Sequence, residues 1–154
     1  MALVNYTRGV DLVLKVGDGA SPEVFTALCT INADRSLTFN AQMTDEVIPD
    51  CADPGAVAWL VREAESLSIE FSGGGMLDKA NVKTLWDWWK SGAAKNCQVI
   101  LDDDVAANVI TFEGAFKLAN FDHSGSRSQK VAATMSLASD GEVEATFGAN
   151  VGGS

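Results

Sequence analysis

The chain has 154 residues, of which 47% are hydrophobic and 21% charged, and its formal net charge at pH 7 is −10. This length and composition suit a single globular domain (1–154), and no apolar run reaches the roughly 18 residues that a membrane span needs. Because 21 acidic residues outnumber 11 basic ones, the surface should repel nucleic acid, which argues against a protein that binds DNA or RNA tightly.

The N-terminus and the cysteines add two further limits. Residues 1–9 lack a basic start followed by an apolar stretch, so a secretion signal is not expected and the protein should be made in the cytoplasm. The cysteines are odd in number and widely spaced, which fits neither a disulfide framework nor a zinc site, and we expect reduced thiols in or near the core. They are Cys29, Cys51 and Cys97.

Apolar and polar residues alternate along most of the chain, which is typical of half-buried strands. An Asp140-Gly141 dipeptide, a common tight turn of hairpins, is predicted to separate the last two strands. About eight antiparallel strands with close turns predict a mainly β fold, a β-sandwich or barrel-like domain. The predicted strands are 10–16, 24–31, 36–42, 66–72, 97–101, 110–118, 131–137 and 143–147.

The alternation is lost in a segment of about residues 43–64, which contains Pro49 and Pro54 and is predicted to be a long loop. Loops of this length are usually functional or disordered, but disordered segments are poor in large apolar residues. This segment carries Val47, Ile48 and Trp59. We therefore expect it to be covered, and a neighbouring subunit is a candidate.

One amphipathic helix is predicted over about residues 78–91, with an N-cap at Asp78 and a C-terminal cap at Gly92. Its core stripe is predicted to include Leu85, Trp86 and Trp89 at helical spacing. Trp88 then falls on the outer flank, either as a contact surface or against a loop of the same chain. Residues of about 148–154 are small and are expected to form a flexible tail.

Residues able to carry chemistry are sparse, and we expect no catalytic, cofactor-binding or metal-binding site. The single histidine, His123, lies in a polar stretch without a nucleophile elbow. The acidic run Asp102 to Asp104 lacks the spacing of a calcium loop, and Gly73 to Gly75 lacks the Lys-Ser/Thr ending of a phosphate loop. The protein is therefore predicted not to be an enzyme.

Several stretches together resemble the major tail proteins, or tail tube proteins, of siphophages and related gene transfer agents. The opening block from Arg8 to Phe25 is the most specific of them. The strand at 36–40, the region of Trp59, the strand at 67–73 and the helix ending before Gly92 follow in order. The later Phe-x-Gly-x-Phe strand is at 112–116.

This resemblance implies a β-sandwich flanked by a helix, which the type VI secretion tube protein also shares. It implies a structural virion protein whose copies form rings of six that stack into a tube for DNA delivery. The implied partners are copies of itself and tail proteins such as the tape measure, terminator and distal tail protein. DNA would pass without specific binding, no membrane is involved, and assembly would occur in the host cytoplasm before incorporation in the virion tail.

The resemblance also suggests where subunits meet. The segment from Met43 to Glu63 is the predicted contact between rings. The predicted interface residues are Asp45, Glu46, Val47, Ile48, Trp59 and Trp88, and the predicted acidic residues of the lumen are Glu70, Glu113, Glu142 and Glu144. Alternatives are a tail terminator or a secretion-type tube protein on a similar fold, a small hydrolase using His123, and a monomeric adhesive domain.

Overall fold

A computed structural model describes residues 8–28, 30–102 and 106–149. Within these residues the chain is mainly β with a single α-helix, which confirms the predicted fold class. Cys29 and residues 150–154 of the predicted tail lie outside the described part. The elements are β1 (Leu12–Gly17), β2 (Phe25–Ala27), β3 (Arg35–Ile48), β4 (Trp59–Met76), α1 (Val82–Ser91), β5 (Lys95–Leu101), β6 (Ile110–Ser124) and β7 (Ala132–Phe147), with 3₁₀ turns at Gly9–Asp11, Lys79–Asn81 and Ala106–Asn108.

The seven strands of the described residues form one antiparallel sheet in the order β2-β1-β5-β6-β7-β4-β3. The sheet curls until its two halves face each other. Arg35, at the start of β3, donates through Nη1 to the carbonyl oxygens of Val10 at 3.2 Å and Leu12 at 2.7 Å, beside β1. The curl therefore brings β3, at one edge of the sheet, close to β1, near the other edge, and the sheet surrounds one core as in an open barrel.

The core fills the space inside the curled sheet and under α1. Inward side chains alternate along each strand, as period 2 requires. Within the described residues, no buried core side chain lies between residues 32 and 70. The core consists of Leu14, Val16, Ile31, Phe71, Leu85, Trp88, Cys97, Val99, Phe116, Leu118, Met135 and Leu137.

The helix covers the core through a narrow face. Asp78 accepts a hydrogen bond from the backbone nitrogen of Ala80 (3.1 Å) and caps the 3₁₀ turn that leads into α1. Gly92 ends the helix with φ +66°, in the left-handed region where glycine carries no Cβ penalty. The predicted helix of about 78–91 is thus a 3₁₀ turn followed by α1.

The structure reverses the predicted roles of the helix tryptophans. Trp88 is only 1% exposed, and its Nε1 donates to the carbonyl oxygen of Ala93 at 3.0 Å. Trp86 and Trp89, predicted to face inward, are 51% and 49% exposed. The buried stripe is centred on Leu85 and Trp88, and the turn after the helix supplies the acceptor that a buried indole N–H needs. The prediction that Trp88 is a subunit contact is therefore wrong.

The prediction of a long loop at about 43–64 is also wrong, because most of this segment is strand. Strands β3 and β4 pair from Arg35↔Gly73 to Ile48↔Trp59, and only residues 49–58 are irregular. The register shifts at a bulge between Gln42 and Met43. A bulge moves the following side chains to the other face, which disrupts the alternation expected from sequence.

The predicted turn at Asp140-Gly141 is not a turn between strands. Strand β7 continues through it, and its pairing with β6 changes from Phe116↔Ser139 to Gly114↔Val143. Gly141 has φ +100° in the resulting bulge. The two predicted strands at 131–137 and 143–147 are therefore one bent strand, and the described residues contain seven strands instead of the predicted eight or so.

Candidate assembly surfaces

The hairpin of β3 and β4 extends beyond the rest of the sheet as a two-stranded arm, which we define as residues 41–67. Strand β4 pairs with β7 only from Glu70 to Met76, whereas its pairing with β3 continues to Trp59. At about 3.3 Å per residue, the arm projects on the order of 20 Å. An isolated two-stranded hairpin is marginally stable in water, so this arm is suited to being covered by another surface.

Large apolar side chains of the arm are exposed on both of its faces. Trp59 is 88% exposed and Val57 is 94% exposed. Cross-strand partners share a face and successive residues alternate, so the pair Ile48↔Trp59 and the neighbouring pair Val47↔Leu60 lie on opposite faces. Exposed apolar surface of this kind usually marks an interaction site. Its presence on both faces favours insertion of the arm between two surfaces.

The predicted acidic interface residues lie in the same arm. Asp45 pairs directly with Arg62 in the ladder, and its Oδ1 lies 3.2 Å from Arg62 Nε. Glu46 lies opposite Val61 on the other face. In the turn, Asp50 Oδ1 accepts a hydrogen bond from the backbone nitrogen of Ala52 at 2.9 Å. The structure thus brings Asp45, Glu46, Val47, Ile48 and Trp59 together, but not Trp88.

A cleft opens where the arm leaves the sheet, because β7 separates from β4 beyond the pair Glu70↔Ala138. Ser139 Oγ accepts a hydrogen bond from the backbone nitrogen of Ile69 (2.9 Å) at this point. The cleft has a volume of about 450 Å³, and its apolar lining includes Phe39 and Leu67. The exposed apolar surface of the arm therefore continues into its base.

The acidic residues predicted for the lumen lie on the polar face of the sheet. Glu113 is in register with Gln98 on one side and Glu144 on the other, and Gln98 Nε2 donates to Glu113 Oε1 at 3.4 Å. Glu70 lies opposite Ala138, next to the buried Phe71. Since neighbours along a strand point to opposite faces, these glutamates face away from the core.

The polar face is not uniformly acidic. Lys15 lies opposite Gln98, and Lys117 lies opposite Ala138 in the same row as Glu70. Lys117 Nζ is 3.8 Å from Asp140 Oδ2. Glu142 is exposed at the bulge of β7, near this pair. Mixed charges keep the face hydrated, while the acids outnumber the bases.

The two edges of the sheet are unequal. Strand β2 has 3 residues, whereas β3 has 14 and, among the described residues, pairs on one side only. A long strand edge exposes a row of backbone N–H and C=O groups that another chain can pair with. The edge of β3 is therefore a second surface suited to association.

An apolar groove lies between the exposed side of α1 and the end of β6, and sequence reasoning missed it. Its lining is Val82, Trp86, Trp89, Phe121 and His123, and its volume is about 310 Å³. The sequence prediction placed Trp86 and Trp89 on the core stripe, so it did not indicate an exposed groove. Strand β6 continues to Ser124, but its register shifts between Leu118 and Asn120, so Phe121 is out of phase with Phe116 and Leu118 and the predicted strand at 110–118 left it out.

The described residues offer little for catalysis or metal binding. His123 is exposed and packs edge-on against Phe121, with ring centroids 4.4 Å apart. Burial raises the pKa of the Cys97 thiol to about 12, which leaves it protonated and a poor nucleophile. In the described part of the chain, no group of three or more His, Cys, Asp or Glu side chains is placed to hold a metal ion. In that part there is also no helix with the length and apolarity of a membrane span.

In the described residues, a two-stranded arm that extends beyond the sheet and a long sheet edge that pairs on one side only define a structural protein suited to assembly with other subunits. The sequence model described as phage tail tube protein matches residues 6–145. The chain therefore belongs to the phage tail tube protein family, and its role is that of a structural component of a virion tail. A search of curated protein sequences found no match.

Solved structures share this fold. A chain from the tail of an empty gene transfer agent particle, computed with helical refinement and C6 symmetry, superposes with a TM-score of 0.71 at 23% identity, covering 92% of this chain and 99% of that one. A chain of the native gene transfer agent virion gives 0.67 at 22% identity with the same coverage of both chains. The SPP1 tail tube gives 0.64 at 14% identity, over 92% of this chain and 80% of that chain.

Proposed function

We propose that six copies of this chain form a ring and that rings stack into a tail tube through which DNA passes. The observation that carries this proposal is the arm, whose two strands pair only with each other and expose apolar residues on both faces. The ring number follows the C6 symmetry of the similar gene transfer agent tail. Copies of the chain itself are the surfaces that would bury the arm.

Rings would close through the sheet edges. The free edge of β3 offers backbone groups to a strand of the next subunit, and such a contact uses two different patches of the same molecule. A heterologous contact closes into a ring when its rotation permits. The polar face would then become the inner wall of a barrel shared by the subunits.

Stacking would use the arm. The arm projects along the strand direction, away from the core, and its exposed tip contains Val57 and Trp59. If strands run along the tube, this direction leads to the adjacent ring. We therefore assign the segment from Met43 to Glu63 to contacts between rings, with Asp45, Glu46, Val47 and Ile48 at the contact.

The inner wall would be weakly acidic. Glu70, Glu113 and Glu144 share the polar face, and Glu142 is exposed at its bulge. With a chain charge of −10, such a wall would repel the DNA phosphates. A conduit benefits from this repulsion because DNA that binds to the wall would move slowly.

The remaining parts of the proposal concern chemistry and partners. We propose a purely structural protein without enzymatic activity, supported by the exposed position of His123 and the protonated state of Cys97. Its partners would be further copies of the chain and the tail proteins that start, measure and end the tube. Subunits would assemble in the host cytoplasm.

Shortening the arm tests the proposal. Gln42 lies opposite Ser66, so removing residues 43–65 and joining these two through an Asn-Gly turn shortens both strands in register. The variant should fold, because the deletion removes no buried core side chain. Electron microscopy of concentrated protein should show long tubes for the natural chain and none for the variant.

Folding of the shortened variant is checked by circular dichroism and thermal melting. The matched control is Gly55→Ala, which alters the tip without shortening the arm and has room for a methyl group, since the nearest atom is 3.8 Å away. Tubes of normal length from the shortened variant would contradict the role of the arm. A natural chain that stays monomeric at every concentration would contradict the proposed function as a whole.

A further inference from the structure

The groove on α1 exposes apolar side chains that the described part of the chain leaves uncovered. The helix buries Leu85 and Trp88, while Trp86 and Trp89 lie outside with their ring centroids 5.5 Å apart. Phe121, at the end of β6, forms the opposite wall. Two half-exposed tryptophans beside a phenylalanine form an apolar surface of the kind that anchors protein contacts.

The groove and the arm lie at opposite ends of the molecule. Glu70 is level with Ala138 and Lys117 across the sheet, and Gly75 is level with Ala133 and His123. From the level of Glu70, the arm extends in the direction of falling residue numbers in β4. The groove lies in the direction of rising numbers, towards His123. The two apolar surfaces therefore point to opposite ends along the strands.

Their charges are opposite as well. The tip of the arm carries Glu46, Asp50 and Asp53. One basic side chain, Lys90, lies at the groove in a chain whose net charge is −10, while Lys83 and Asp87 of α1 form an ion pair with each other. Lys90 lies over the Trp86 ring, 5.7 Å from its centroid, and the turn after β6 contains Arg127 and Lys130. An acidic arm tip thus has a basic, apolar counterpart on the same molecule.

We propose that the groove receives the arm tip of a second copy in the adjacent ring, with Val57 and Trp59 against Trp86 and Trp89. The acidic residues of the tip would then face Lys90. This inference rests on the proposed stacking of rings and specifies the receiving site. A contact between opposite ends of identical chains is heterologous and does not close on itself, so it can propagate along a tube.

Cys51 provides a direct test, since it is exposed in the turn of the arm. The variant Lys90→Cys, made together with Cys29→Ala, places a second thiol at the rim of the groove. Tubes of this variant are oxidised with copper phenanthroline and separated on a non-reducing gel. Because every subunit then carries one tip thiol and one groove thiol, contacts between successive rings should give a ladder of dimers, trimers and longer chains.

Two controls define the result. Adding Cys51→Ser should abolish the ladder. Moving the new cysteine to the polar face, as Lys117→Cys with Lys90 retained, should give none either. Buried Cys97, whose thiol pKa is raised to about 12, should not react. Tubes of the Lys90→Cys variant without any ladder, or with cross-links that stop at dimers, would overturn the inference.

The groove tryptophans give an independent test. Trp86→Ala combined with Trp89→Ala should raise the protein concentration needed for tube growth at least tenfold, while rings still form. The control Val24→Ala changes an apolar side chain that is 57% exposed away from the groove. Circular dichroism and a thermal melt confirm that the double variant is folded.

The two proposals fail in different ways. Normal tube growth by a folded Trp86→Ala, Trp89→Ala variant, together with loss of tubes when the arm is shortened, would overturn the groove as receiving site and leave the arm in its role. Normal tubes from the shortened variant would overturn the contact assigned to the arm and this inference with it.

Discussion

At the scale of single residues, Trp88 shows the limit of a helical wheel. Sequence spacing separates the side chains of α1 into faces, but three tryptophans in four positions leave more than one possible apolar face. The choice is made by tertiary structure. Trp88 faces the core because the turn after the helix offers the carbonyl of Ala93 to its indole N–H. The orientation of Trp88 therefore depends on a contact with a residue outside the helix, which a helical wheel does not include.

The burial of Cys97 could be predicted from the alternation of its strand. It is fully buried, and burial raises the pKa of its thiol from 9.0 to about 12, with Glu23 adding to the shift and Lys95 opposing it. Between these values the folded protein keeps a proton that the unfolded chain loses. The free energy of unfolding should therefore fall as the pH rises above 9, by at most about 1.4 kcal/mol per pH unit.

Urea denaturation at pH 7, 9 and 10.5 checks this prediction. The variant Cys97→Ala should be less stable than the natural chain at pH 7, because it leaves a small cavity, but should lose less stability between pH 9 and 10.5. All other titrating groups are the same in both proteins, so the difference in slope isolates the thiol. Equal slopes would show that the thiol does not resist ionisation in the folded state.

At the scale of elements, the core strands could be predicted but the arm could not. Alternation marks a strand when one face is buried in its own chain, as for β6 and β7. The arm has apolar residues on both faces, and a bulge places the extra residue Glu65 in β4 opposite the step from Gln42 to Met43, so no single face of β4 is continuous. The bulge at Gly141 was predicted as a turn between two strands, because Asp-Gly is also a strong signal of a tight hairpin.

At the end of β4, next to Gly75, the side chain of Asn32 forms hydrogen bonds with the backbone of Met76 like those of a neighbouring strand. Asn32 Nδ2 donates to the carbonyl oxygen of Met76 at 2.9 Å, and its Oδ1 accepts from the Met76 nitrogen at 3.0 Å. A Cβ at Gly75 would collide with Asn32 Oδ1, and Gly75 has φ +155°. The glycine is thus required for β4 to continue past the predicted end at 72.

We expect Gly75→Ala to lower the free energy of unfolding by about 1–3 kcal/mol, through the displaced Asn32 side chain and the strained backbone. The control is Gly9→Ala, since nothing lies within 4 Å of a Cβ at that position. Thermal and urea unfolding of both variants give the comparison. Equal stability of the two variants would mean that the contact with Asn32 does not constrain this strand.

At the scale of the whole molecule, the features that matter for assembly are those that the chain leaves incomplete. The sequence indicated the family through its opening block and strands. Val47, Ile48 and Trp59, predicted to be covered by a neighbouring subunit, are exposed in the single chain. The sequence could not indicate which surface covers them. The groove that we propose for this role is positioned relative to the arm by strand register across four strands, which the sequence alone does not give.

We expect the polar face of the sheet to form the wall of the assembled tube. Glu113 lies on this face between Gln98 and Glu144, whereas Asp87 lies on α1, on the other side of the sheet. The variants Glu113→Lys and Asp87→Lys change the charge by the same amount. If the polar face lines the lumen, tubes of Glu113→Lys should place a ring of lysines around the DNA path. They should therefore retain DNA that natural tubes release.

Retention is measured by loading tubes with a labelled DNA duplex and following its release as salt is raised. Glu113→Lys tubes should hold the duplex at low salt and release it at higher salt, because phosphate binding by lysine weakens as counterions compete. Asp87→Lys tubes, whose added charge lies on the outside, should resemble natural tubes in the release of enclosed DNA. If both variants retain DNA equally, the charge acts without regard to position, and the polar face does not form the wall.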